Sequence, residues 1–219
     1  MKKTVLFHAV LFLFIFALFG CGSENNKSYI SLCTDALSTL SMQTEYHYTS
    51  YTLEGNTPDT MSAVSTTEYW ISGTDWLSYN ATSNYWQMSI DNIQYTALSE
   101  RNTDVTWQLS NNKLTAPSPV PQLDIDIFFC ESVSNVNNTR IIILASDEQS
   151  TFQGIKTSDI KAIFTFSENG NLISYEYRFS ITNNDNSDPM YYSMLIEYHT
   201  FEQGNIDQII QDKYSSSVK

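Results

Sequence analysis

The 219-residue chain carries 11 Lys and Arg against 24 Asp and Glu, a net charge of −13 at pH 7. Such a surface repels nucleic acid and anionic lipid headgroups, which excludes partners that need a basic patch. Two of the bases are Lys2 and Lys3; without them 9 basic residues face 24 acidic ones, a net of −15, and no Lys or Arg lies between Lys27 and Arg101.

Met1-Lys2-Lys3 is followed by an apolar run from Val5 to Phe19. A basic start and an apolar stretch short of the ~20 residues that span a bilayer form a secretory signal. The run ends in Leu18-Phe19-Gly20-Cys21. This resembles the lipobox of bacterial lipoproteins, in which the Cys receives diacylglycerol and a further acyl chain such as palmitate and becomes the new N-terminus. The resemblance implies a leader over 1–20, a lipid on Cys21, and anchorage on the extracytoplasmic face of the cell membrane. Residues 21–28 are small and polar and predict a flexible tether, which leaves one domain over 29–219.

From Ser28 to Met42, Ile30, Cys33, Leu37 and Leu40 recur at helical spacing. After Thr44 the period becomes two. Strands are predicted at Glu45–Glu54, 62–72, 75–80, 84–90, 92–98 and 104–110. Thr115 to Pro121 is a loop with three prolines. Leu123 to Val133 fits a strand or a short helix, and Ser134 to Asn138 a turn. Arg140 to Ser146 is a strand, and polar Asp147 to Ser158 is predicted to loop out. Ile160–Ser167 and Asn171–Thr182 flank Asn169-Gly170, a strong hairpin signal. A strand at Pro189–Phe201 follows, then a closing helix with Asn205 as N-cap and Ile206, Ile209 and Ile210 on its apolar face. The fold class is therefore mainly β with flanking helices, about ten strands in an antiparallel meander.

Alternation divides each strand into two faces. Tyr175, Tyr177 and Phe179 share one face of their strand; Tyr192, Met194 and Tyr198 share one face of the next; Trp107 shares a face with Val105 and Leu109. A flat ten-stranded sheet would be ~48 Å wide, whereas the first helix spans only ~20 Å. Two short helices cannot cover so wide an apolar face. The sheet is therefore expected to curl into an open half-barrel and hold a ligand on its concave side, lined by Trp107, Tyr175, Tyr177, Phe179, Tyr192, Met194 and Tyr198. A Tyr-rich interior suits a lined cavity, because each hydroxyl needs a partner.

Cys33 and Cys130 remain once Cys21 is acylated. Outside the cytoplasm they are candidates for a disulfide, with two buried thiols as the alternative. Only His47 and His199 survive in the mature chain, and each is expected to be a packed or surface residue. No zinc, redox, phosphate-loop or nucleophile-elbow motif occurs, so neither an enzyme nor a cofactor nor a metal is expected. Asp124 and Asp126 are read as exposed acids, and Asp185 to Asp188 as a solvated turn.

The leader, the helix ending in Glu45-Tyr46-His47-Tyr48, the long meander, the late hairpin and the final strand running into Gln203-Gly204-Asn205-Ile206 resemble the LolA/LolB-like lipoprotein carrier superfamily, in particular the small LolA-like lipoproteins of Gram-positive cells. The resemblance implies a curved antiparallel sheet, an open half-barrel covered by an N-terminal and a C-terminal helix, with a lipid or other apolar ligand in its concave face. The Arg that governs cargo release in that family has no matching motif here; Arg101, Arg140 and Arg178 do not take its place. Binding or sensing is thus implied rather than shuttling. The competing expectation is a surface module that binds glycan or a partner protein through exposed Tyr69, Trp70, Trp76, Tyr79, Tyr85 and Trp86.

Overall fold

The computed structural model describes residues 23–101, 103–111, 118–152, 155–183 and 188–215. Cys21 and the leader lie outside the described residues. Helix α1 spans Ser23–Ser41. Strands β1 (Glu45–Gly55), β2 (Ser62–Ser72), β3 (Asp75–Asn80), β4 (Tyr85–Ile90), β5 (Ile93–Leu98) and β6 (Gln108–Leu109) follow. A single 3-10 turn, Ile125–Ile127, precedes β7 (Phe129–Val136), β8 (Thr139–Ser146), β9 (Ser150–Phe152), β10 (Ile155–Phe166), β11 (Leu172–Asn183) and β12 (Met190–Tyr198). Helix α2, Asn205–Ser215, closes the described chain.

All strands join one curved, unclosed antiparallel sheet in the order β6-β5-β4-β3-β2-β1-β12-β11-β10-β8-β7, with β9 also paired to β10. The first and last long strands are neighbours at its centre, with Tyr48 opposite Tyr198 and Thr52 opposite Met194. The meander is therefore two runs of strands joined by a non-local pairing.

Cross-strand partners share a face, so the register shows which side each half buries. One ladder runs Tyr46, Ile71, Trp76; a second on the same face runs Tyr48, Tyr198, and a third Ile196, Tyr175, Phe164, Ile142. Helix α1 packs on this face through Cys33, Ala36, Leu37 and Leu40. The opposite face carries His47, Trp70, Leu77, Met88 and Tyr95 in one row. Helix α2 packs there, with Ile206 and Ile210 fully buried against Trp70, Leu77, Trp86 and Met88. The two helices thus lie on opposite sides of one sheet. The apolar side changes at β2 and β3, where Trp70 and Ile71, then Trp76 and Leu77, are buried on both faces. Cover for the sheet is shared between its sides, which relaxes the shortage of helix expected from width alone.

A further cover is the segment 118–128. Val120, Leu123, Ile125, Ile127 and Phe128 all pack on the α1 side. Tyrosine hydroxyls tie these covers down. Tyr198 Oη donates to Pro119 O at 2.8 Å, and Tyr46 Oη lies 2.8 Å from Leu40 O and 2.7 Å from Gln43 O. These two hydroxyls serve the seams between the sheet, α1 and the 118–128 strap.

Several local expectations are corrected. Residues 23–28 are helical, not a tether, because Asn26 Oδ1 accepts the Cys130 N–H at 2.7 Å and holds the first turn against the edge strand β7. Of 104–110 only Gln108–Leu109 pairs; Ser99 Oγ donates to Asp104 O at 3.0 Å, and the chain before it folds as a turn. Leu123–Val133 divides into the 3-10 turn and the start of β7. Ser134–Val136 is strand, and the turn is only Asn137-Asn138, both at positive φ (48° and 64°), which suits a two-residue hairpin. Within 147–158, Ser150–Phe152 and the start of β10 pair with each other. The sheet has twelve strands rather than ten. Cys33 and Cys130 are buried in one core as thiols and are not joined. Burial first, and then Cys130, pushes the Cys33 thiol up to about 12.

Candidate functional site

The aromatic set expected to line a ligand site does not stay together. Trp107 belongs to the α2 side, where its Nε1 donates to Lys213 O at 3.3 Å. The other six share the α1 side. Tyr175 is fully buried, edge-on to Phe164 at 5.1 Å, and belongs to the core. Tyr177, Phe179 and Tyr192 form a half-buried row, with ring centroids 6.0 and 5.8 Å apart, that runs out to exposed Met194. This strip lies outside the cleft that Tyr198 lines at the other end of β12.

That cleft has a volume of about 710 Å³, within the range of small-molecule sites. It forms where five chain ends converge: the end of α1, the start of β1, the β10–β11 turn, the end of β12, and the link to α2. Leu40, Tyr46, Leu172, Ile173 and Tyr198 supply apolar wall. Met42 and Phe201 stand at the mouth, 77% and 36% exposed. Polar groups come from Gln43, Asn169, Asn171 and the two histidines. Glu45 also lines the cleft, and its Oε2 accepts the Gly204 N–H at 2.8 Å, which fixes the link to α2. Gly204 suits that place because its φ is +83°.

One wall is a polar cluster within the sheet. His199 N–H donates to His47 O at 2.8 Å, which sets the two side chains side by side with ring centroids 4.5 Å apart. His47 Nε2 is 2.8 Å from Glu68 Oε1 and its ring stacks on Trp70 at 5.2 Å. Arg101 reaches back from the loop after β5, pairs with Glu68, and lies over Trp70. His199 Nε2 is 2.8 Å from Thr49 Oγ1. Burial and the neighbouring His47 hold the His199 imidazole below its usual pKa, with Arg101 adding to the effect; Glu68 and Glu197 oppose it.

The two histidines were expected to be separate packed or surface residues. No local signal joins them, because only the β1–β12 pairing, across 199 − 47 = 152 positions of chain, brings them into contact. Asp124 and Asp126 are exposed within the segment 118–128, as expected for surface acids. Asp185 to Ser187 lie outside the described residues. Among the described residues no three His, Cys, Asp or Glu side chains form a metal-binding group.

Of the six rings of the expected aromatic platform four are buried, and Tyr69 and Tyr85 are half-buried. Trp70, Trp76, Tyr79 and Trp86 are each 6% exposed or less. They also divide between the faces, Trp70, Tyr79 and Trp86 under α2 and Trp76 on the α1 side. A surface module that binds through these rings therefore loses its support.

No protein-family model matches the chain, and no curated protein is significantly similar to it.

Proposed function

We propose that the protein is a lipid-anchored extracytoplasmic lipoprotein that binds a lipid or another apolar ligand, and that the 710 Å³ cleft at the end of its sheet is the site. The observation that carries this reading is the convergence of apolar wall from α1, β1, β11 and β12 on one opening with an exposed apolar mouth. The leader and Cys21 support the anchor, and the LolA-like pattern of elements supports an apolar ligand. No helix among the described residues is long and apolar enough to cross a membrane.

The mature chain, residues 21–219, is expected to take up Nile red and to retain lipid in native mass spectrometry. A carboxylate at the mouth should weaken uptake roughly tenfold, as expected for ~1–2 kcal/mol of lost apolar contact and added desolvation. Phe201→Glu and Met42→Glu, both exposed, should show this loss. Met194→Glu, on the strip outside the cleft, should not. If the strip variant loses uptake and the mouth variants keep it, the site is misplaced; absence of both dye uptake and bound lipid ends the reading.

A further inference from the structure

His47 and His199 line the cleft beside its apolar wall, with their imidazole centroids 4.5 Å apart. One nitrogen of each ring is held from within the sheet, by Glu68 and by Thr49. The other nitrogen of each ring has no hydrogen-bond partner among the described residues. No Lys or Arg lines the cleft. The charged and titratable groups around the pair are Glu68 on β2, itself paired with Arg101 from the loop after β5, and Glu197 on β12, which accepts from Tyr51 Oη at 3.0 Å. Glu45 lines the cleft but is engaged with Gly204 N–H.

We propose that the cleft selects an apolar chain with an anionic head, a carboxylate or its equivalent, and that the His47–His199 pair holds that head and binds it more tightly as the pH falls. The proposal rests on the cleft being the apolar-ligand site.

At high pH a neutral His199 ring offers an anion only an N–H dipole, against the field of a strongly acidic chain. As protons are added, His199 becomes an imidazolium beside the His47 ring. Without a ligand this is unfavourable, in keeping with the lowered His199 pKa. The sign follows from linkage. A depressed His pKa means that the folded chain binds fewer protons than the unfolded one, so the contribution of His199 to stability is present above the ordinary His value of about 6.5 and is lost on acidification. An anion held against the edges of both rings reverses the balance by stabilising the charged His199 ring. A ligand that raises the imidazole pKa must bind better where the imidazole is protonated. A carboxylate with an ordinary pKa near ~4 stays charged through that window.

The test compares dansylaminoundecanoic acid with its methyl ester on the mature chain, by fluorescence titration at about pH 8 and about pH 6. The acid is expected to bind about 5-fold or more tightly at the lower pH, the low end of common coupling strengths, and the ester to be unchanged. His199→Gln and His47→Gln should flatten the response of the acid while leaving the ester bound. An ester that tracks the acid overturns the anionic head and leaves the apolar cleft standing, as does a pH response that survives both substitutions. Failure of both probes overturns the cleft reading together with this one. The acid–ester comparison on the unmodified chain decides the matter even if a histidine variant does not fold.

Discussion

Cys21→Ser is expected to move the protein from the membrane fraction to the soluble extracytoplasmic fraction. The protein's net charge is −13, so anionic headgroups repel it, and no described helix can cross. Acyl chains contribute ~0.8 kcal/mol for each buried CH2, and two chains suffice for stable anchorage where one gives only marginal binding. Loss of the acceptor sulfur removes all of this at once, so the partition should change by orders of magnitude. Intact mass measures it directly: the parent should start at Cys21 and carry the lipid, whereas the variant should lack the lipid. A parent protein that keeps its first 20 residues in the membrane would instead be held by an uncleaved leader.

Ile210→Asp is expected to destabilise the fold severely. Ile210 is fully buried between α2 and the second apolar face, next to Trp70, Trp86 and Met88. Truncating such a side chain costs ~2–5 kcal/mol, and an unpaired buried carboxylate adds to that. A loss of about 4 kcal/mol or more follows, or detachment of α2 if the sheet survives alone. The two outcomes are separable. Global unfolding lowers the denaturant midpoint of far-UV dichroism. Detachment leaves dichroism largely intact but shifts tryptophan emission to the red and opens Trp70 and Trp86 to acrylamide. Gln208→Ala, on the exposed side of the same helix, should stay within about 0.5 kcal/mol of the parent. An Ile210→Asp protein as stable as the parent would mean that α2 is not part of the folded unit.

The elements themselves were legible because their signals are local. Ile30, Cys33, Leu37 and Leu40 mark a helix face, and Cys33 and Leu40 are indeed buried with Ile30 and Leu37 packed beside them. Asn169-Gly170 marks the hairpin that became β10–β11. What could not be read is how faces of successive strands relate. Alternation says that Trp86, Met88 and Ile90 share a side, but not that this is the side opposite Phe164 and Tyr175. That depends on register through every turn between them and on the pairing of β1 with β12. The same pairing assembles the cleft and the histidine pair, so the site stayed hidden although Tyr198 was singled out. Trp107 differs for a second reason as well: it precedes the short strand Gln108–Leu109, so Val105 joins it under α2 while Leu109 is exposed.

The early start of α1 has a mechanical meaning. The helix begins at Ser23, two positions after the acylated cysteine of the proposed mature chain, and Asn26 already fastens it to the sheet edge. On the proposed anchor such a mount would leave little slack, and the body would take its attitude over the bilayer from one rod. Nineteen helical residues measure about 28 Å, and Leu40, near the far end of that rod, belongs to the cleft wall. With the rod upright, the opening faces away from the lipid surface at roughly the depth of a bilayer core above it. Cargo would then arrive from the surrounding medium or from a neighbouring protein, not by direct extraction from the leaflet beneath.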